Sequence, residues 1–363
     1  MAETLTQAPT RNRTRLAVID CDIHNQPVKK EDLSPYMSAR WRQHHETFGS
    51  RGHTGAGYPR QNLDAARTDS WPPNGHPPAS DLDFLRYQLL DAWNIQYGVL
   101  NTLIGAGSQR NLEYGAAFAR AINDWQVVTW LDPEPRLRAS IVVAFEDADL
   151  AAAEIDRVAD DTRFVQALLY IRTSEPLGRR KYWPIYEAAV RHNLPVGIHF
   201  GGAGGGPITG AGWPSFYIED HAGMATAFQA QVTSMVFEGI FERFPTLKIV
   251  LIEGGFGWLA PLMWRLDNTW RRLKDEIPHV RRLPSEYIRE HIWLTTQPME
   301  EPPIGAQFHQ LLKHLDMTDH LMFSTDYPHW DFDAPDQAIP ARVPPAVERA
   351  IMAENARTLY RLA

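Results

Sequence analysis

The feature that most constrains this chain is a rhythm: short, nearly continuous apolar runs recur along it, each followed by a longer stretch of helical period. A run that is apolar at almost every position is not a strand with one wet face, which would alternate. It is a strand covered on both sides, as in a parallel sheet packed under helices. Such runs fall at residues 16–21, 97–104, 137–143, 164–170, 196–200, 248–252, 292–295 and 321–324. Helical stretches lie between them, among them 112–130, 148–160, 182–192 and 226–244, the last followed by the helix-breaking Pro245. Eight such strands with intervening helices point to an α/β fold closed as a (β/α)8 TIM barrel rather than an open sheet. A chain of 363 residues is long enough for one large barrel.

Two stretches exceed a minimal barrel. Residues 25–80, dense in Pro, Gly, His and Arg, follow the first strand, and the Gly-rich 201–214, extending to His221, follows the fifth. Loops that leave strand ends lie on the C-terminal face of a barrel, where such enzymes place their chemistry, so these long insertions are expected to roof an active site. Residues 1–15 are polar and aperiodic and read as a disordered N-terminal tail, leaving 16–363 as a single barrel domain.

Composition removes several classes of function. A formal net charge of −8 disfavours a nucleic-acid binder that relies on a broad basic face. The apolar runs are too short to span a bilayer and the N-terminal residues lack a signal-peptide core, so no membrane partner is expected and the reading is cytoplasmic. Cys21 is the sole cysteine, which rules out an intrachain disulfide and a thiolate cluster. Any metal must be held by imidazole and carboxylate.

Three separated segments offer such groups. Asp22 and His24 end the first strand two residues apart, a spacing that aims both side chains the same way. His199 ends the fifth strand and opens directly into glycines, and Asp326 ends the eighth. Each is weak evidence alone; convergence of three distant strand ends on one barrel mouth is what points to a divalent cation. Glu253, after the sixth strand, reads as a general acid/base, a ligand to a second cation, or a structural acid paired with an arginine. His221 is either the nitrogen partner of such a second cation or a packed loop histidine. Arg172 follows the fourth strand and is placed either to clamp a substrate carboxylate or on the surface. His329 and Trp330, just past Asp326, line the pocket or fill the rim. Arg40, Arg42, His44, His45, His53, Tyr58 and Arg60 are lid candidates. Gly201–Gly206 lacks a Gly-Lys-Ser/Thr ending and a helix start, which excludes a phosphate loop. Cys21, between two acids on the strand, is expected to point away from the metal as a small buried residue.

Taken together, Asp22-x-His24, His199 before its glycines and Asp326 after the last strand resemble the amidohydrolase superfamily, in the branch of aminocarboxymuconate-semialdehyde and resorcylate-type decarboxylases. The likeness runs from Leu16 to the C-terminus. It implies that Asp22, His24, His199 and Asp326 hold a divalent Zn, Mn or Fe ion, with Asp326 and Glu253 handling protons. The implied activity is hydrolysis or non-oxidative decarboxylation of a small carboxylate-bearing metabolite. Asp22 stands where a histidine is familiar, and Glu253 stands where relatives usually carry a histidine. That second departure resembles a minor branch of oxygen-dependent hydroxylases that includes an aminoisobutyrate hydroxylase. There, two ions (Fe/Fe or Mn/Fe) would also engage Glu253 and His221. Because relatives of both kinds associate, a homo- or hetero-oligomer is expected, and a non-catalytic subunit is the remaining reading.

Overall fold

The computed structural model describes residues 16–49, 65–202 and 204–363. Eight parallel strands follow one another in space in the order of the chain: β1 (Val18–Ile23), β2 (Ile95–Leu100), β3 (Leu137–Val142), β4 (Phe164–Arg172), β5 (Val196–Gly202), β6 (Ile249–Ile252), β7 (Ile292–Thr295) and β8 (Leu321–Met322). The ring closes between its ends without a regular ladder. Cys21 N donates to Phe323 O at 3.0 Å, Asp326 N to Asp22 O at 3.1 Å and His24 N to Tyr327 O at 2.8 Å. The expected (β/α)8 barrel is therefore present, and its closing seam runs through the two segments that carry Asp22, His24 and Asp326.

The apolar runs divide their side chains between two cores. Ile19 and Cys21 of β1 pack with Val99, Val165, Leu168, Val250, Ile252, Trp293 and Met322, a set drawn from six strands that can meet only in the barrel lumen. The opposite faces pack outward under the helices, for example Ile23, Leu100, Ile141, Ile198 and Leu251. This two-sided burial is why the strands read as continuous apolar runs. Cys21 is fully buried in the lumen cluster, as expected of a small packed residue.

Helices start where polar caps allow. The Asn111 side chain accepts from Tyr114 N at the head of Leu112–Gln126, and Asp147 accepts from Leu150 N at the head of Ala148–Val158. Several expected bounds shift by a few residues, the second strand from 97–104 to Ile95–Leu100 among them, and two of the changes have a clear local cause. The stretch 226–244 is two helices, Ala225–Phe237 and Ile240–Arg243, because Gly239 takes a left-handed backbone (φ 79°) that ends the first. Strand β8 stops at Met322 rather than residue 324, since Phe323 N bonds to Ile351 O instead of a neighbouring strand.

Both insertions leave the C-terminal ends of strands. The returning part of the first is tied to the segment beyond Asp326: Arg67 N donates to Pro328 O at 2.9 Å and Trp330 N to Ala65 O at 2.8 Å. The second carries the helix Tyr217–Gly223, whose Tyr217 hydroxyl accepts from the Trp330 indole at 3.4 Å. The roof thus stands over the strand ends from two sides. The tail expected at 1–15 and the lid candidates His53, Tyr58 and Arg60 lie outside the described residues. No helix among the described residues is long and apolar enough to cross a membrane.

Candidate metal centre

Five side chains from the ends of four strands converge at the barrel mouth. Asp22 is the penultimate residue of β1 and His24 follows it; His199 lies on β5, Glu253 follows β6, and Asp326 lies four residues beyond β8. All are buried, and one donor atom from each lies within 4.8 Å of the others. The four ligands anticipated from the sequence are brought together, and Glu253 joins them.

The imidazoles are oriented from behind. His24 Nδ1 bonds Asn101 O at 2.8 Å and His199 Nδ1 bonds Phe200 O at 2.5 Å, so each presents Nε2 to the centre. His199 Nε2 lies 3.3 Å from Asp22 Oδ2 and 3.1 Å from Glu253 Oε2. Neither His199 Nε2 nor Asp22 Oδ2 has a hydrogen-bond partner. Buried polar atoms are almost always partnered. A lone imidazole nitrogen facing a lone carboxylate oxygen at the base of a polar mouth is the arrangement a divalent cation satisfies.

The electrostatics make the same demand. His24 Nε2 lies 2.7 Å from Asp326 Oδ1, and with Nδ1 already donating, that contact requires an imidazolium. Burial opposes the charge, but Asp22 and Asp326 outweigh it and lift the His24 pKa to about 9. Asp326 is held far below the usual carboxylate range: burial would raise it, but His329 and His24 prevail. Glu253 is driven well above its ordinary value, first by burial and then by the charges of Asp326, Asp331 and Asp22, with Arg172 opposing. Without a cation, then, burial and the neighbouring charges favour the neutral form of Glu253 and the charged form of His24. Asp20, behind Asp22, is raised to about 7 by burial even though Thr325 hydrogen bonds favour its ionised form.

Backbone conformation marks the two acids further. Glu253 (φ 56°) and Asp326 (φ 61°) both adopt the left-handed region, uncommon for residues with a side chain. Such positions cost on the order of 1–3 kcal/mol and persist where the surroundings over-determine them, as at functional sites.

The flanking candidates divide. His329 Nδ1 bonds Asp326 Oδ1 at 2.7 Å and its ring stacks on His24 at 4.5 Å, so it supports the centre. Trp330 is 42% exposed at the rim beside His221, 5.0 Å between rings. The Arg172 guanidinium is paired with Asp220 and lies 4.7 Å over the Phe200 ring, so it is a partly committed cation beside Glu253 rather than a surface residue. Arg42 bonds Ser34 O and Met37 O within the first insertion, whereas His45, bonded to the Tyr114 hydroxyl, and Arg40, 3.7 Å from Glu113, face the helix Leu112–Gln126.

Three residues were not singled out from the sequence. Asp331 Oδ2 lies 2.9 Å from His221 Nε2, and with Glu253 these form a second group of donors within 4.8 Å. Gln297 bridges the two groups, its Nε2 reaching Asp326 Oδ2 at 3.2 Å and Asp331 Oδ2 at 2.9 Å. Asn101 Nδ2 donates to Asp22 Oδ1 at 2.8 Å. The only advance signal was the proximity of Asp331 to Asp326 in the chain.

A barrel whose mouth gathers two imidazoles and three carboxylates has the layout of enzymes that work through a bound divalent cation. The chain belongs to the amidohydrolase family, whose model matches residues 19–362. It is 27% identical over 266 residues to a gamma-resorcylate decarboxylase of Polaromonas sp. (strain JS666), covering 67% of this chain and 76% of the relative. Among solved structures, it superposes with a TM-score of 0.70 on an amidohydrolase from Mycobacterium avium subsp. paratuberculosis, at 19% identity over 97% of this chain and 100% of the other. A dihydroxybenzoic acid decarboxylase from Polaromonas sp. JS666, solved with manganese and the inhibitor 2-nitroresorcinol, gives 0.66 at 19% identity over 96% and 97%. At such identities the structural likeness speaks for the fold.

Two outcomes are expected. His199→Ala and Asp326→Ala should each lose bound metal and activity while keeping a cooperative thermal transition, because neither side chain contributes to the apolar core. Metal content after gel filtration beside a melting curve checks this, and full metal occupancy in either variant would contradict the site. The second concerns Asp333, whose carboxyl is pushed up to about 7 by burial and by Glu301, Asp331 and Asp326. Its folded pKa exceeds the unfolded value, so the folded state binds more protons between about pH 4 and 7. Stability of the metal-free protein should therefore fall as pH rises through that window. Asp333→Asn should be more stable than the parent at pH 8 and no different below about pH 4, read from urea melts in chelator.

Proposed function

We propose that the chain is a metal-dependent, non-oxidative decarboxylase of a small aromatic carboxylate. The observation that carries this reading is the unsatisfied cation site itself: Asp22 Oδ2 and His199 Nε2 are buried without hydrogen-bond partners, and the Glu253 carboxyl lies 3.1 Å from that nitrogen, placed to hand on a proton. The 27% identity to a gamma-resorcylate decarboxylase supports it.

Asp22, His24, His199 and Asp326 would hold the cation, with manganese suggested by the decarboxylase solved with that metal. When bound, it supplies positive charge to orient the substrate carboxylate and a neighbouring oxygen. The remaining work falls to the chain. His329, Trp330 and Tyr217 present aromatic faces at the rim, suited to a flat ring. Arg172, partly buried and shared with Asp220, adds positive charge near Glu253. Glu253 delivers its proton to the ring carbon that carries the carboxylate. The carbon–carbon bond then breaks, its electron pair restores the ring, carbon dioxide leaves, and Glu253 recovers a proton from water. Hydrolysis is the less favoured use of the same site, because the relative at 27% identity is a decarboxylase.

A second reading is favoured by one observation, the His221–Glu253–Asp331 group that shares Glu253 with the first. It would take a second ion, as the expectation of an Fe/Fe or Mn/Fe hydroxylase requires. The complete donor set at the mouth speaks for a catalytic chain over a silent subunit.

Glu253→Gln separates the readings. As a proton donor, the variant should keep its metal content and lose about 10²–10⁴-fold in carbon dioxide release from gamma-resorcylate or a related hydroxybenzoate. As a ligand to a second ion, it should drop from two ions per chain to one and lose oxygen uptake. Unchanged metal and unchanged turnover would contradict both.

A further inference from the structure

Beneath the ligands, the barrel lumen holds a line of polar side chains that packing alone does not explain. Tyr360, in the C-terminal helix Asn355–Tyr360, packs into the lumen cluster with Ile19, Cys21, Val99 and Val165. Its hydroxyl donates to Gln166 Oε1 at 2.9 Å. Gln166 Nε2 donates to Ser140 Oγ at 2.9 Å and to Asn101 Oδ1 at 3.2 Å. Ser140 Oγ donates to the same Asn101 Oδ1 at 2.5 Å. Asn101 Nδ2 donates to Asp22 Oδ1 at 2.8 Å and to Cys21 O at 3.1 Å, while Asn101 O receives His24 Nδ1 at 2.8 Å. Asn101, Ser140 and Gln166 are fully buried, and Tyr360 is 4% exposed. Gly197 leaves room for the line, since a Cβ there would meet the Gln166 amide at 2.9–3.0 Å.

The chain of bonds has a direction. A buried phenol has one proton to give, and Tyr360 gives it to Gln166, which fixes that amide with its oxygen towards the helix. Its nitrogen must then face Ser140 and Asn101. With two donors on Asn101 Oδ1, the Asn101 nitrogen must face Asp22. A flipped Gln166 would set oxygen against oxygen at Asn101. A flipped Asn101 would do the same at Asp22 and at Cys21 O. Each amide is therefore held from both ends, and such fully satisfied buried networks specify one arrangement.

We propose that Tyr360, Gln166, Ser140 and Asn101 act as positioning residues, a hydrogen-bond line from the C-terminal helix through the lumen that fixes Asp22 and His24 for the cation. The inference rests on the metal-centre reading above. Asn101 occupies Asp22 Oδ1, leaving Oδ2 for the ion, and its carbonyl sets the His24 tautomer that presents Nε2. Partners of this kind, one bond behind the ligands, typically govern metal affinity by about 10–100-fold.

The test is titration of chelator-stripped protein with manganese(II) by calorimetry. Asn101→Leu is expected to weaken binding by about 10–100-fold. Tyr360→Phe, which keeps the ring and loses only the proton, should weaken it by about 2–10-fold, the value of one hydrogen bond. Gln166→Glu keeps the shape of the amide and removes the donor, so it provides a further variant should Asn101→Leu fail to fold. Val165→Ala, in the same lumen cluster but outside the line, should lower the melting temperature without changing affinity. Parental affinity in Tyr360→Phe and Gln166→Glu would overturn the proposal. So would an equal loss in Val165→Ala, which would make the effect one of general loosening. Parental affinity in Asp326→Ala would instead overturn the metal-centre reading, and the proposal with it.

Discussion

Repulsion among buried carboxylates at the barrel mouth is the constraint on which the site depends. Asp22, Glu253 and Asp326 lie within one donor-atom cluster, with Asp331 against Glu253 and Asp20 behind Asp22. Burying several like charges so closely is prohibitive unless protons or a cation relieve it. In the metal-free site these charges push Glu253 towards its neutral form and His24 towards its charged form, and a second imidazole, His329, bonds Asp326. A divalent cation meets the same demand with one particle. The left-handed backbones at Glu253 and Asp326 show the fold holding both acids in this arrangement at a cost in conformational energy.

The barrel supplies that rigidity through its seam. Strands β1 and β8 are not joined by a regular ladder; they are stitched by Cys21, Asp22 and His24 to Phe323, Asp326 and Tyr327. Asp20 adds a further stitch, accepting from Thr325 N at 2.9 Å, Thr325 Oγ1 at 2.6 Å and Asp22 N at 3.1 Å. Candidate ligands from the two ends of the sequence are thus fixed by the closure of the ring itself. Binding a cation there should tighten the same seam.

Much of this was legible in the sequence because burial on both faces leaves a mark in composition. The eight strands stand out as apolar runs, and Asp22, His24, His199 and Asp326 stand out as polar residues at the ends of those runs. Glu253 was found by the same logic, though its role stayed open. What could not be read depends on contacts that no local period encodes. Asp331 reaches His221 across 110 residues, and Arg172 finds Asp220 across 48. Gln297 and Asn101 are single amides at strand ends, indistinguishable in sequence from loop residues, and Gln166 and Ser140 interrupt their strands only as polar positions facing inward. The early end of β8 was equally hidden, since it follows from the Ile351 carbonyl taking the Phe323 amide.

The central claim is that one divalent cation sits between His24, His199, Asp22 and Asp326. Crystals of the protein grown with manganese, measured at a wavelength where that metal scatters anomalously, test it most directly. The account predicts an anomalous peak within about 2.0–2.3 Å of both Nε2 atoms and of carboxylate oxygens from Asp22 and Asp326. A fully loaded crystal with no peak there, or with its sole peak away from these four side chains, would contradict it.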